Sequence, residues 1–115
     1  FVINIAIEFE VITLRNYNKS EVVAECINEM KDYFDINNWT FNNTINISEL
    51  ELLLANVDGV SSVPKLKIIN KCNGNYSPNS YNIENAIKDK ILYPSLDPSV
   101  FEVKFPDVDI KGRAR

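Results

Sequence analysis

The chain contains no histidine. The side chain best suited to moving protons near neutral pH is therefore missing. Glycine occurs only three times. No P-loop, dinucleotide-binding or G-x-S-x-G pattern is present, so phosphate cradles and nucleophile elbows lack their sequence signatures. The two cysteines, Cys26 and Cys72, have no C-x-x-C spacing, and without histidine no ligand set remains for a Cys/His zinc site. They do not point to an oxidising compartment either. No apolar run approaches the roughly 20 residues of a spanning helix, and no signal-peptide pattern is visible. The formal net charge of −4 argues against a nucleic-acid surface. The one local basic cluster, Lys111, Arg113 and Arg115, reads as a solvated tail.

What remains is a chain of 115 residues, 45% of them hydrophobic, enough for one domain with a sizeable core. Residues 1–13 alternate: Phe1, Ile3, Ile5, Ile7, Phe9 and Val11 share one face, and Asn4, Glu8 and Glu10 the other. Period two with β-branched and aromatic residues predicts a half-buried strand with a solvated polar face. A strand that opens on Phe1 also predicts that the chain belongs to a longer one or is a processed product.

Asn18 followed by Glu21 forms a capping box, with Tyr17 and Val22 placed as its hydrophobic staple. The spacing of Val23, Ile27, Met30 and Phe34 then predicts an amphipathic helix over 19–35, with Cys26 on its apolar side. Residues 36–47 are Asn-rich, with Trp39 and Phe41, and predict a loop with one short strand. Ser48 and Glu51 form a second capping box, Leu50, Leu53, Leu54 and Val57 a second core stripe, and Gly59 a C′ residue. Residues 63–70 predict another strand, with Pro64 at an edge open to a partner strand. Residues 71–82 are turn formers. Residues 83–93 fit a short helix weakly, and Phe101, Val103 and Phe105 predict a short strand. Pro94, Pro98 and Pro106 forbid long helices there.

The expected fold is α+β: two amphipathic helices on one face of a small mixed sheet, with an extended closing arm. Residues 1–70 form the core. Residues 71–115 add loops, short elements and the arm, whose removal from residue 94 onward is expected to spare the helices.

Two carboxylate pairs are the only candidates for chemistry. Glu8 and Glu10 stand about 7 Å apart along one strand face, the spacing of a glycosidase pair. Such a pair is more often an exposed strand face. Asp107 and Asp109 form an Asp-x-Asp pair, with no further cation ligands nearby. Five N-x-Ser/Thr sequons begin at Asn18, Asn38, Asn42, Asn46 and Asn75, which chance supplies in an Asn-rich chain. Aromatic residues crowd the loop-rich second half, where they either pin irregular segments or anchor a partner. The predicted interface residues are Tyr93, Leu96, Phe101, Phe105 and Ile110.

Two stretches carry a resemblance. Residues 45–69, INISELELLLANVDGVSSVPKLKII, resemble the baseplate J-like family of contractile injection machines, where a capped helix ends in Gly-Val and a strand follows. Residues 93–113, YPSLDPSVFEVKFPDVDIKGR, are similar to the ends of myovirus virion structural proteins. The resemblance implies the carboxy-terminal domain of a baseplate wedge subunit in a contractile-tailed phage. It further implies a non-enzymatic role in the virion, partners that are other wedge proteins and copies of itself, and no cofactor. A small-ligand or carbohydrate-binding module, using Asn, Tyr and Trp39 in a concave pocket, is the alternative.

Overall fold

In a computed structural model the described residues are 2–35, 43–95 and 99–115. Among them run β1 (Val2–Thr13), α1 (Lys19–Tyr33), β2 (Ile45–Asn46), α2 (Ile47–Ala55), β3 (Val60–Lys71), α3 (Ile83–Ala86), β4 (Ile87–Lys88), β5 (Ile91–Leu92), β6 (Val100–Glu102), α4 (Pro106–Asp109) and β7 (Ile110–Ala114). The fold is α+β, as the alternation of period two and period 3.6 predicts.

Strand β1 is the spine. On one side β3 pairs with it antiparallel, from Asn4 opposite Lys71 to Thr13 opposite Val60. On the other side two short strands share its length, both parallel: β6 along Val2–Asn4 and β7 along Ile7–Val11. Between them the chain leaves the edge, because Pro106 opens the single turn α4, where its fixed φ suits a first helical position. The β1–β3 register slips between Glu10 and Ile12 and again between Ile12 and Thr13. The first slip falls at Val63 and Pro64, a residue that donates no ladder hydrogen bond and is confined to edges and bulges, and the second at Ser61.

The inner face of β1 carries Ile3, Ile5, Ile7, Phe9 and Val11, all buried. Helix α1 covers it with Val22, Cys26, Met30 and the adjoining Phe34, and α2 with Leu50 and Leu54. The α1 stripe is rotated from the expected one: Val22 and Cys26 are buried, while Val23 and Ile27 are half-buried. A second small sheet, β2–β5–β4, adds Ile45 and Leu92 to the same core. Its β4–β5 turn places Asp89 and Lys90 at φ 53° and 62°, the left-handed pair of a type I′ hairpin. Residues 83–93 are thus one helical turn and a hairpin rather than a helix.

Asparagine caps the helices. Asn18 Oδ1 accepts from the Glu21 amide at 3.2 Å, as the capping box predicts. In α2 the cap is Asn46, accepting from the Glu49 amide at 3.1 Å, so the helix starts before the expected cap Ser48. The box at Asn46 satisfies the amide that a cap at Ser48 would leave inside the helix. Asn82 caps α3 through the Asn85 amide at 3.1 Å. Gly59 is left-handed at φ 95° but lies beyond the α2 C-cap, Asn56. A Cβ there would fall 2.6 Å from the Tyr17 ring and 2.8 Å from Val22, so the glycine lets the staple residues close over the turn into β3.

Residues 100–115 correct two expectations. The arm is extended in backbone, but it does not leave the domain, since both of its strands lie on β1. The polar face of β1 is not simply solvated either: Asn4, Ala6 and Glu10 are buried. Glu10 is covered by Arg113 and Arg115 of the segment that returns to the free edge of β1, whereas Asn4 is covered by the loop 72–82 together with Glu102. Phe1, Trp39, Phe41 and the expected loop over residues 36–42 lie outside the described residues.

Candidate interaction surface

The outer face of the sheet divides in two. Over its first half the loop 72–82 is laid on β1 by side-chain amides. Asn4 Oδ1 accepts from the Ser77 amide at 2.7 Å, and Asn4 Nδ2 donates to Glu102 at 2.8 Å. Asn79 Nδ2 donates to the Val2 carbonyl at 2.8 Å. On the other face of the sheet, where Asn70 stands opposite Ile5, its side chain accepts from the Tyr81 amide at 3.1 Å and donates to the Asn4 carbonyl at 3.0 Å, holding the end of the loop. An amide side chain offers a donor and an acceptor at once, so it satisfies backbone groups that a loop cannot pair by itself. Asn73 and Gly74 take φ 68° and 61° to turn this loop.

Tyr76 donates its hydroxyl to Asp109 Oδ1 at 3.0 Å, and its ring meets Phe105 edge-on at 5.5 Å. Burial, followed by the Asp109 carboxylate, pushes the Tyr76 hydroxyl up, which keeps it a donor. Asp109 is buried, and its Oδ2 has no hydrogen-bond partner among the described residues. Asp107 instead faces outward and accepts from Lys31 Nζ at 2.5 Å. The Asp-x-Asp pair therefore diverges, one carboxylate to the interior and one to helix α1. Among the described residues no three potential ligands cluster for a metal ion.

Over its second half the outer face is open and charged. Glu8 lies across from Lys67 on β3 and Lys111 on β7; Glu10 lies across from Lys65 and Arg113. Glu10 accepts from Arg113 Nη2 at 2.9 Å and from Arg115 Nε. The Arg113 hydrogen bond, opposed by burial and supported by Arg115, holds the Glu10 carboxyl below its ordinary value of 4.5. A carboxylate so held stays ionised near neutral pH and is not a general acid there, and its oxygens are already taken by the two arginines. The depression here is shallow, about 210 Å³, lined by Glu8, Glu10, Lys65, Lys111 and Arg113 among others. On the inner side the Phe9 ring lies over Gly112, where a Cβ would collide with it.

The predicted interface residues separate. Tyr93 is 44% exposed and Phe105 37%. Phe101 and Ile110 are core residues, 2% and 3% exposed, because β6 and β7 turn them inward against β1. They are corrected from surface anchors to packing residues. Leu96 lies outside the described residues. Leu52 and Val108, at 60% and 59% exposure, are further outward apolar side chains.

No family model matches the chain, and no curated protein matches it.

The remaining candidates have local roles. The sequon residues Asn18 and Asn46 are helix caps, Asn75 is exposed, and Asn38 and Asn42 lie outside the described residues. A second depression of about 280 Å³ is lined by Asn70, Tyr81, Asn82 and their neighbours, but both asparagines already bind backbone groups. Cys26 is buried, and burial, then Glu25 and Glu29, push its thiol up to about 11, so it is an inert core residue.

The sequence did not reveal the charged face. Lys65 and Lys67 stand far from Lys111 and Arg113 along the chain, and only the strand register joins them. The one available signal was alternation: Lys111, Arg113 and Arg115 repeat every second residue, as one face of a strand does.

Proposed function

We propose that this chain is a structural assembly domain of a contractile phage tail, the carboxy-terminal module of a baseplate wedge subunit, and that it acts by protein–protein contact. The reading begins from the likeness of residues 45–69 and 93–113 to such proteins. These stretches form α2–β3 and most of β6–α4–β7, the elements that flank β1 on its two edges.

The observation that carries the non-catalytic reading is how the polar side chains are used. Glu10 is held by two arginines, Asp109 is buried against Tyr76, and Asn4, Asn70 and Asn79 bind backbone. These polar groups, which chemistry or sugar binding could otherwise use, are engaged in holding the domain together. What faces outward is a charged sheet surface and a set of apolar side chains, Leu14, Tyr17, Leu52, Tyr93, Phe105 and Val108. The proposed partners are other wedge proteins and copies of the chain, within the virion and without a cofactor.

Immunogold electron microscopy of source virions, with an antibody raised to this domain, tests the reading. Label at the host-facing end of the tail is expected. Label on the head or fibres, or none on the particle, overturns it.

A further inference from the structure

The fold sorts its charges to different patches. On the outer sheet face Lys65, Lys67, Lys111, Arg113 and Arg115 surround Glu8 and Glu10. Five cations thus meet two carboxylates on a chain of net charge −4, and one of those carboxylates is already neutralised by Arg113 and Arg115. Lys65, Lys67 and Lys111 are exposed, and Lys65 and Lys111 line the depression.

Helix α1 covers the other face of the same sheet. Val22, Cys26 and Met30 bury its inner side against β1. One flank of the helix, one position before each of these buried residues, carries Glu21 and Glu25, both exposed, and the half-buried Glu29. These carboxylates recur every four residues, a rise of about 6 Å. Cations on alternate residues of a strand recur every 6.6–6.8 Å or so. A row of helix carboxylates therefore keeps step with a row of strand cations over two repeats to within about 2 Å, inside the reach of a lysine side chain.

We infer that the basic outer sheet face binds the acidic flank of α1 from a second copy of this chain. Because the two surfaces are different patches of the domain, the contact is head to tail. It closes into a ring or runs on as a filament, according to the rotation between copies. The inference rests on the assembly reading and gives it a geometry. A polyanion backbone fits this face less well. Glu8 and Glu10 interrupt the patch, among the described residues no exposed aromatic ring lies on it for base stacking, and the rest of the chain is acidic.

The test is sedimentation of the whole chain from about 0.01 M to about 1 M salt, over which the Debye length falls from about 30 Å to about 3 Å. Concentration-dependent association at low salt that dissolves at high salt is expected. Two substitution pairs address the surfaces: Lys67→Glu with Lys111→Glu on the sheet, and Glu21→Lys with Glu25→Lys on the helix. Each pair alone weakens association about tenfold or more, and an equimolar mixture of the two variants restores it. Zero-length cross-linking of mixed ¹⁴N and ¹⁵N wild-type protein needs no variant. It is expected to join Lys65, Lys67 or Lys111 of one copy to Glu21 or Glu25 of another. Wild type that stays monomeric at low salt, or association indifferent to both pairs, overturns the inference. Salt-sensitive retention of a single-stranded oligonucleotide in place of self-association overturns the choice of partner. Virion labelling is independent of these readouts, so the interface and the assembly reading fail separately.

Discussion

The two edges of β1 are built in opposite ways. The β3 edge is antiparallel and runs almost the full strand; capped helices that announce themselves in the sequence connect its two strands. The other edge is parallel and is filled piecewise by β6 and β7, which come from far along the chain and carry no cap or turn signal. Local chemistry specifies the first edge, whereas the second is specified only once the first exists. A polar strand face that looks solvated from its own residues can therefore be buried by a segment that pattern reasoning reads as a tail.

The sharpest way to break the comparison is to remove the second edge. Deleting residues 100–115 withdraws Phe101, Val103 and Ile110 from the core. At about 1.5–3 kcal/mol per large apolar side chain, the loss is about 5 kcal/mol or more, comparable with the whole stability of a small domain. Far-UV circular dichroism is expected to show lost helix, contrary to the expectation of a separable arm; retained helix with cooperative melting would restore that expectation. Leu54→Ala, on the side built from local signals, is expected to cost about 2–5 kcal/mol in urea denaturation, as a fully buried leucine does.

Asn4→Ala probes the loop laid across the outer face. It strands the Ser77 amide and is expected to cost about 1–3 kcal/mol, with loss of hydrogen-exchange protection at Ser77 but not in α1. Acid sharpens the role of β7. Glu10 is depressed below 4.5 in the fold, so its contribution is present above that pH and is lost as pH falls through the lower folded value. Below pH 4.5 the amides of β7 are expected to lose protection before those of β3, and Glu10→Gln should flatten that dependence. The smallest effect separates two caps: Asn46→Ala should cost about 1 kcal/mol, and Ser48→Ala less than about 0.5 kcal/mol.

The elements that the sequence declared are those whose signals are local. Alternation marked β1 and β3, and Asn18 with Glu21 marked the start of α1. The Ser48 box was a near miss, because Asn46 lies two residues upstream with the same capping chemistry and a better-placed acceptor. Phe101 and Ile110 were misjudged because a hydrophobic residue between prolines carries no indication of which distant strand it will meet. The charged face was illegible for the same reason, since register joins residues that no spacing rule connects. In the loop 72–82, asparagines that read as composition turned out to be the fastenings.

The parallel pairing of β7 with β1 also governs how the domain forms. Thr13 meets Arg115 across 102 residues of chain, so this edge closes only after most of the polypeptide has been ordered. Such long-range closure is slow. Until it happens, the most apolar strand of the protein presents an unpaired ladder to any neighbour. Refolding yield is therefore expected to depend steeply on protein concentration, and a chaperone that shelters residues 2–11 should raise it.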